Sequence, residues 1–345
     1  MELKYYTKLL LSSIVTLTLT SCGNNDIKNE DNNTTQEQIN DNNNSQQNIN
    51  EDAPIITLKG KNPLYLQHGR KYNEAGATAE DYVDGTMKVT ISGKVDAFKV
   101  GTYYVNYTAT DFEKHTTTVK RKVIVQPIIH HGVTYQPIVS KHTGQIWLDK
   151  DIGAKKPCIN WHDESCTGDL FQWGRNIDGH EKQNSQITTK KGKTITDSGS
   201  KFVIDHSDWT TDKHRGENWK ATDGRSICPA HYHVPSAKEF GAEVNMNFNK
   251  PNRPYSNEDQ LVLDLMNDIK FSDSSYPRGR GNYNTEYKDV PYEGTLNTYW
   301  VTDVAKNNIH KSLAMEFGYI GQSLYSGFIK SFDRYTGLPV RCIQD

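Results

Sequence analysis

The chain has 345 residues, with 40 Lys and Arg against 42 Asp and Glu, giving a formal net charge of −2. Most of the acidic excess sits in residues 23–52; residues 53–345 carry only three net positive charges, so no strong field develops over the rest of the chain. That balance argues against a nucleic-acid partner, which demands a marked basic face.

Lys4 and Lys8 precede an apolar run from Leu9 to Leu19 that is too short to cross a bilayer permanently and reads as a targeting segment, removed after residue 21. It closes on Leu19-Thr20-Ser21-Cys22. These four residues resemble the bacterial lipoprotein signal, with Leu three before the cysteine and a small residue directly before it. The resemblance implies that Cys22 becomes the first mature residue and carries acyl groups that hold the protein in a membrane. Gly23 follows Cys22 where an aspartate would favour retention at the inner membrane, so the expected location is the outer membrane with the protein exposed at the surface. Residues 22–52 form the lipidated end and a tether. Half of the thirty residues after Cys22 are Asn or Gln, seven are acidic, and none is aromatic. Such a segment buries too little apolar surface to offset the cost of ordering its backbone.

A first folded module is expected over residues 53–126. Tyr103, Val105, Tyr107 and Ala109 alternate with Tyr104, Asn106 and Thr108, a period of two that buries one strand face and wets the other. Further strands are predicted at Ile55–Leu58, Lys88–Ile91 and Thr117–Val125, punctuated by Gly69, Asp84-Gly85, Gly93 and Gly101. Several short strands with no helical pattern give a small all-β, immunoglobulin-like sandwich. Pro54-Ile-Ile-Thr-Leu, Gly76-Ala-Thr-Ala, Asp81-Tyr-Val-Asp-Gly and the run from Gly101 to Asp111 resemble an immunoglobulin-like repeat of bacterial surface proteins, also found beside the toxin modules of pesticidal crystal proteins. That resemblance implies a spacer or adhesive module and brings no chemistry. Asp81, Asp84, Asp96 and Asp111 read as turn formers that bond nearby backbone; calcium is the alternative, without a contiguous calcium loop to support it.

Residues 127–134 are expected to be a linker, with Pro127 and Gly132 as punctuation around His130 and His131. Residues 135–345 then form one larger α+β domain that holds all six tryptophans. Ser236 and Glu239 make a capping box for a helix from Ala237 to about Val244, and Asn257 with Gln260 starts a second, with Leu261, Leu265 and Ile269 on one stripe. Tyr299-Trp300-Val301-Thr302, Gly327-Phe328-Ile329 and Leu338 to Ile343 are predicted strands. Besides Cys22, Cys158, Cys166, Cys228 and Cys342 remain, and four cysteines permit three pairings. We favour a short Cys158–Cys166 loop and a long Cys228–Cys342 closure; without Cys-x-x-Cys pairs, zinc is disfavoured.

Gly144-Gln-Ile-Trp-Leu-Asp149, Gly153-Ala, Cys166, Gly168-Asp-Leu-Phe-Gln-Trp-Gly-Arg175, Cys228-Pro, Tyr232-His-Val-Pro235, Tyr299-Trp300 and Val340-Arg-Cys342 resemble the major paralogous domain family first noted in Fibrobacter succinogenes. Val301 and Thr302 stand where that family has two serines. The resemblance implies an exported, often lipidated protein with a C-type-lectin-like fold, in which irregular loops over a small sheet form the binding face. The interval from Phe271 to Leu296 is the expected loop region, with Tyr276, Arg278, Arg280, Tyr283, Asn284, Tyr287 and Tyr292 among glycines. Tyrosine offers rigid contact area with a hydroxyl and arginine a planar fork of donors, a mixture suited to a protein or glycan ligand. We therefore take Tyr276, Arg278, Arg280, Tyr283, Tyr287 and Trp300 as candidate ligand-binding residues, with no cofactor. Trp300, Asp303 and Asp289 are only a loose echo of calcium-dependent sugar binding.

An enzyme is not expected. The histidines at 162, 180, 206, 214, 231 and 233, beside Asp163, Asp169, Asp178, Asp205 and Asp208, supply general-base types without a nucleophile elbow, a zincin helix or a phosphate loop. His231 and His233 fall on one face of a strand or, with Cys228-Pro229 and Pro235 adjoining, in a packed loop. The related fold of formylglycine-forming enzymes works through reactive or copper-binding cysteines, whereas the four here read as structural. The expected function is that of an adhesin or ligand-binding lipoprotein, the alternative a structural component of the cell envelope.

Overall fold

The computed structural model describes residues 53–159, 163–244, 268–271, 296–320 and 323–345. The first module contains β1 (Ile55–Leu58), β2 (Leu64–Gln67), β3 (Ala77–Asp81), β4 (Gly85–Met87), β5 (Thr90–Ser92), β6 (Gly101–Thr110) and β7 (Thr116–Gln126). They form two sheets, β1-β3-β4 and β2-β7-β6-β5. Along β6 the period of two is realised: Val105, Tyr107 and Ala109 are buried while Thr102, Tyr104 and Thr110 are exposed. The strand expected at Lys88–Ile91 is instead divided, because the chain leaves one sheet after Met87 and joins the other at Thr90.

One cation organises this interior. Arg121, on β7, is 1% exposed. Its Nε donates to the Tyr107 hydroxyl at 2.7 Å, and its two Nη atoms donate to the carbonyls of Lys61, Lys59 and Gly76. Tyr107 in turn donates to Glu74, whose carboxylate also lies 3.9 Å from the guanidinium. Spreading a buried charge over carbonyls and a carboxylate offsets its desolvation, and here it also ties the loops around β1 and β3 to the larger sheet.

The expected linker is a hairpin. β8 (Ile128–His130) pairs with β9 (Val133–Tyr135) across His131 and Gly132, whose φ values of 46° and 78° are those of a tight two-residue hairpin turn. Ile128 and Tyr135 are buried in the core of the following domain, which explains why the segment is ordered: its alternate apolar residues have somewhere to go.

In that domain β10 (Pro137–Val139), β11 (Ile146–Leu148), β20 (Ile343–Gln344) and β15 (Tyr232–His233) form one sheet in the order β10-β11-β20-β15. A three-stranded sheet joins β16 (Leu296–Val304), β17 (Lys311–Ile320) and β18 (Ser323–Asp333). Short pairs link β12 (Phe171–Gln172) to β19 (Gly337–Leu338) and β13 (Ile187–Thr188) to β14 (Phe202–Val203). Helix α1 (Ala237–Glu243) begins at the expected capping box: Ser236 Oγ accepts from Glu239 N at 3.2 Å and Glu239 Oε2 accepts from Ser236 N at 2.7 Å. Of the helix expected from Asn257, only Asp268 to Ile269 lie within the described residues. The single terminal strand expected from Leu338 to Ile343 is two short strands separated at residues 339–342, where the Pro339 carbonyl accepts from Trp300 N and the Val340 and Cys342 carbonyls accept from the Ile152 and Leu148 amides.

Among the described residues the protein is therefore multidomain and predominantly β. The cysteines pair as Cys158–Cys166 and Cys228–Cys342, and the second bond joins positions 114 residues apart. No helix of the described residues is long and apolar enough to cross a membrane.

Candidate functional site

Tyr276, Arg278, Arg280, Tyr283 and Tyr287 lie outside the described residues, as do Asn284, Asp289 and Tyr292. What the structure does fix is the stem from which that interval leaves and the strand to which it returns. Phe271, the last described residue before it, is fully buried among Trp147, Phe240, Tyr299 and Phe317, with ring centroids 5.0–5.9 Å apart. Arg341 lies over the Phe271 ring at 4.7 Å and donates from Nη1 to the Ile269 carbonyl and from Nη2 to that of Lys270. Its Nε donates to Asp151 at 2.8 Å, and both residues are 0% exposed. Arg341 thus fastens the outgoing stem to the segment after β11 with a planar fork that a lysine could not supply. On the return side, Asn297 to Val301 are buried in β16.

Trp300 belongs to this foundation and not to a binding face, which corrects its expected role. It is 0% exposed, its Nε1 donates to the Phe171 carbonyl at 2.7 Å, and Phe332 meets it edge-on. An indole whose one donor is satisfied internally has no surface left to offer a ligand. Trp147, Trp173, Trp209 and Trp219 are used alike, donating to Glu243, Val301, Trp173 and Arg175 respectively.

The glycines of the motifs mark close approaches. A Cβ on Gly153, which has φ of 83°, would sit 2.0 Å from Asp169 Oδ2, and one on Gly168 would meet the Ile152 carbonyl at 2.4 Å. Residues that carry the resemblance therefore bring the segments around 151 and 168 together. They build the floor of the domain.

The candidate acids and bases of the sequence do not converge on one centre. His180 is fully buried: its Nδ1 donates to Asp178 at 2.7 Å, and its Nε2 accepts from the Gln172 amide at 3.2 Å. Burial lowers its pKa against the pull of Asp178, keeping the ring neutral. Asp178, His180 and Glu181 lie close enough to hold a metal, but freeing Nδ1 as a ligand would force a proton onto Nε2, facing the Gln172 N–H. The donor set does not fit a cation; it locks the loop after Arg175. Asp169 pairs with Lys182 at 2.6 Å, and Asp208 with Arg215 and Arg334 at 2.7 and 3.3 Å. His206 bonds the Thr189 carbonyl and His214 bonds Glu217. His162 lies outside the described residues, while Asp163 accepts from Ser165, Lys156 and the Ile159 amide. His231, at φ of 66°, precedes β15 and is exposed, so it does not share a strand face with His233. His233 instead lies between Glu239 and Asp345.

The carboxylates weighed for calcium are engaged too. Asp303 Oδ2 accepts from the Ala237 amide at the start of α1. Asp81 Oδ1 accepts from the Val83 and Asp84 amides, Asp96 from Phe98, and Asp111 from His115. Sequence reasoning passed over Glu243, which is 0% exposed and takes bonds from Ser140, Thr143 and Trp147, and over Asp151. Nothing local marks a helix-borne glutamate as the partner of residues a hundred positions away. A cleft of about 520 Å³ is lined by Lys71, Tyr72, Lys94, Asp96 and Phe98 of the first module and by Ile146 and Gln344.

Residues 56–125 match the family model for the bacterial surface protein Ig-like domain. No curated protein is matched by the chain. Among solved structures, the lipoprotein BT2262 from Bacteroides thetaiotaomicron is 19% identical over 29% of this chain and 62% of its own, with a TM-score of 0.20. The M60 catalytic domain with the CBM51-1 and CBM51-2 domains from Clostridium perfringens ZmpB is 23% identical over 28% of this chain and 11% of that one, with a TM-score of 0.19. A structure of CBM51-2 in complex with GlcNAc and INT domains from the same protein is 21% identical over 34% and 26%, at the same TM-score. In each case this chain spans less than two thirds of the other's length. The first folded module is thus an immunoglobulin-like domain of the bacterial surface-protein type.

Proposed function

We propose that the protein is a lipid-anchored lipoprotein of the cell surface, an adhesin or ligand-binding protein whose C-terminal domain carries the recognition surface. The observation that carries this reading is the surface-protein Ig-like module at residues 56–125, set between the lipoprotein-like sequence at Cys22 and a disulfide-closed domain. Anchor, spacer and head follow in the order that presents the last element outward. Within the head, buried tryptophans and the Arg341–Asp151 pair hold Phe271 and Asn297, the described residues on either side of the tyrosine- and arginine-rich interval 272–295. Fixing the ends of a segment rich in Tyr and Arg limits the entropy lost on association. The motifs of the major paralogous domain family and its C-type-lectin-like fold belong to the same reading. A non-catalytic role without a required cofactor belongs to the same reading, and the internal hydrogen bonds of His180, His206, His214 and His233 support it.

The test is binding of the intact chain to glycan and protein arrays, with Tyr276, Arg278, Arg280, Tyr283 and Tyr287 replaced together by Ala. Binding should fall at least about a hundredfold, as expected when several hot-spot side chains are truncated. Full binding by that variant, or none by the parent, transfers the assignment to a structural role in the envelope. Metabolic labelling with palmitate, lost on Cys22→Ser, tests the anchor separately. A melting temperature unmoved by millimolar calcium excludes a calcium-dependent version.

A further inference from the structure

The end of the Ig-like sandwich where the chain enters is capped by three apolar side chains with almost no cover. Tyr82 and Val83, in the turn between β3 and β4, are 97% and 85% exposed, and Phe112, in the turn between β6 and β7, is 80% exposed. Both turns are tied down. Asp81 Oδ1 accepts from the Val83 and Asp84 amides, Asp111 Oδ1 accepts from the His115 amide, and Asp84 Oδ2 reaches across to accept the Phe112 amide at 3.0 Å. The carboxylates that shape the turns point back into them and leave the apolar side chains as a fixed apex.

The register shows which end this is. Ile55 pairs with Glu80, so the first strand starts beside the apex, whereas Gly101 pairs with Val125 at the opposite end, from which the chain continues into the C-terminal domain. Only thirty residues separate Cys22 from Ala53. Fully extended, they span at most about 110 Å, so an anchor at Cys22 keeps the apex within that distance of a bilayer whatever their conformation.

We propose that Tyr82, Val83 and Phe112 dock this end of the module on the lipid bilayer, a reading that rests on the proposed anchor at Cys22. Tyrosine suits the headgroup boundary, with its ring in the apolar layer and its hydroxyl in the polar one, and Phe and Val enter beyond it. Three side chains bind weakly alone, and confinement by the anchor makes that weak contact effective. Glu80, Asp81, Asp84, Asp111 and Glu113 lie at the apex against Lys114, a negative balance that an anionic membrane would repel and a zwitterionic one would not. Docking in this way would stand the C-terminal domain away from the surface.

The experiment uses the full mature chain. With Cys22→Ser removing the anchor, flotation with phosphatidylethanolamine–phosphatidylcholine vesicles should be measurable and should fall at least about tenfold in Tyr82→Ser/Val83→Ser/Phe112→Ser, each removal exposing less apolar surface to lipid. The melting temperature should be unchanged, since the aspartate bonds that form the turns remain. In the acylated chain, a spin label at Phe112→Cys should report lipid immersion, and one at Lys99→Cys, at the opposite end, should stay aqueous. A label at 112 that remains aqueous while the acylated chain floats overturns the proposal and leaves the anchor intact. Absence of lipid mass on Cys22 overturns the anchor, and the unanchored flotation then judges the apex alone: parity between parent and triple variant rejects it. Retained flotation with loss of capture of an envelope protein also rejects it, in favour of a protein partner.

Discussion

In the Ig-like module one buried guanidinium, that of Arg121, joins loops to a sheet that alternation has already built. In the C-terminal domain, interior order rests on many separate fastenings: two disulfides, five indole N–H groups with internal acceptors, and ion pairs between residues as far apart as Asp151 and Arg341. The C-terminal domain has long strands too, with β16, β17 and β18 of 9, 10 and 11 residues, so the difference lies in the short strands it adds. β6 and β7 run for 10 and 11 residues and supply a long ladder. Among the described residues of the C-terminal domain six strands are only two residues long, and irregular backbone between them leaves polar groups that must be satisfied one by one.

The sharpest way to break this comparison is to remove the long disulfide. Cys228→Ser with Cys342→Ser should destabilise the C-terminal domain by about 4 to 5 kcal/mol on the loop-entropy account of a closure this long. Hydrogen exchange should show protection lost in β11, β15 and β20 while β6 and β7 keep theirs. Equal loss in β6 and β7 would mean that the two modules stand or fall together.

Arg121→Met is the reciprocal test in the first module. It keeps volume but leaves the Lys59 and Lys61 carbonyls without the guanidinium and takes a charge from beside Glu74, which keeps Tyr72, Tyr107 and the Gly76 amide as donors, at a cost of about 3 kcal/mol. Urea unfolding followed at the β6 and β7 amides should shift accordingly, with the tryptophan signal of the C-terminal domain unmoved. A single common transition, displaced for both probes, would contradict separate determinants.

How much of the fold and the site is legible in the sequence divides along the same line. The period of two from Tyr103 to Ala109 announces β6 because each residue's side is set by its own position, and Ser236 with Glu239 announces α1 because both partners of the cap lie within one turn. The role of Trp300 is not legible: an indole in a Tyr-Trp strand looks alike in sequence whether its ring faces solvent or the Phe171 carbonyl. Its burial is decided by segments 129 residues away. The hairpin at His131-Gly132 is obscured for a different reason. Turn residues and linker residues are the same types, and only the burial of Ile128 and Tyr135 against a distant core tells them apart. Arg121 reads as one more exposed cation of a lysine-rich strand, since its acceptors are carbonyls, which sequence does not distinguish.

The smallest expected effect concerns how the C-terminal strand is held to α1, and its sign depends on pH. His233 lies 3.1 Å from Glu239 and 3.0 Å from Asp345. The hydrogen bond to Glu239, followed by that to Asp345, raises the imidazole pKa above 6.5 against partial burial. Reciprocally, the bond from His233 holds Glu239 down at about 2. A raised histidine pKa contributes stability that is complete below the unfolded value and is lost as pH rises through the folded one. A depressed glutamate pKa contributes stability present above its unfolded value, near 4.5, and lost as pH falls toward about 2. Both contributions are therefore present together between about pH 4.5 and 6.5. His233→Gln should lower stability there by on the order of 1 kcal/mol, and the gap to the parent should narrow on either side of that window. Melting temperatures of both proteins from about pH 3 to about 9 read this directly. A gap constant across the range would mean that His233 acts as a neutral hydrogen-bonding ring and that no imidazolium clasps Glu239 to the C-terminal strand.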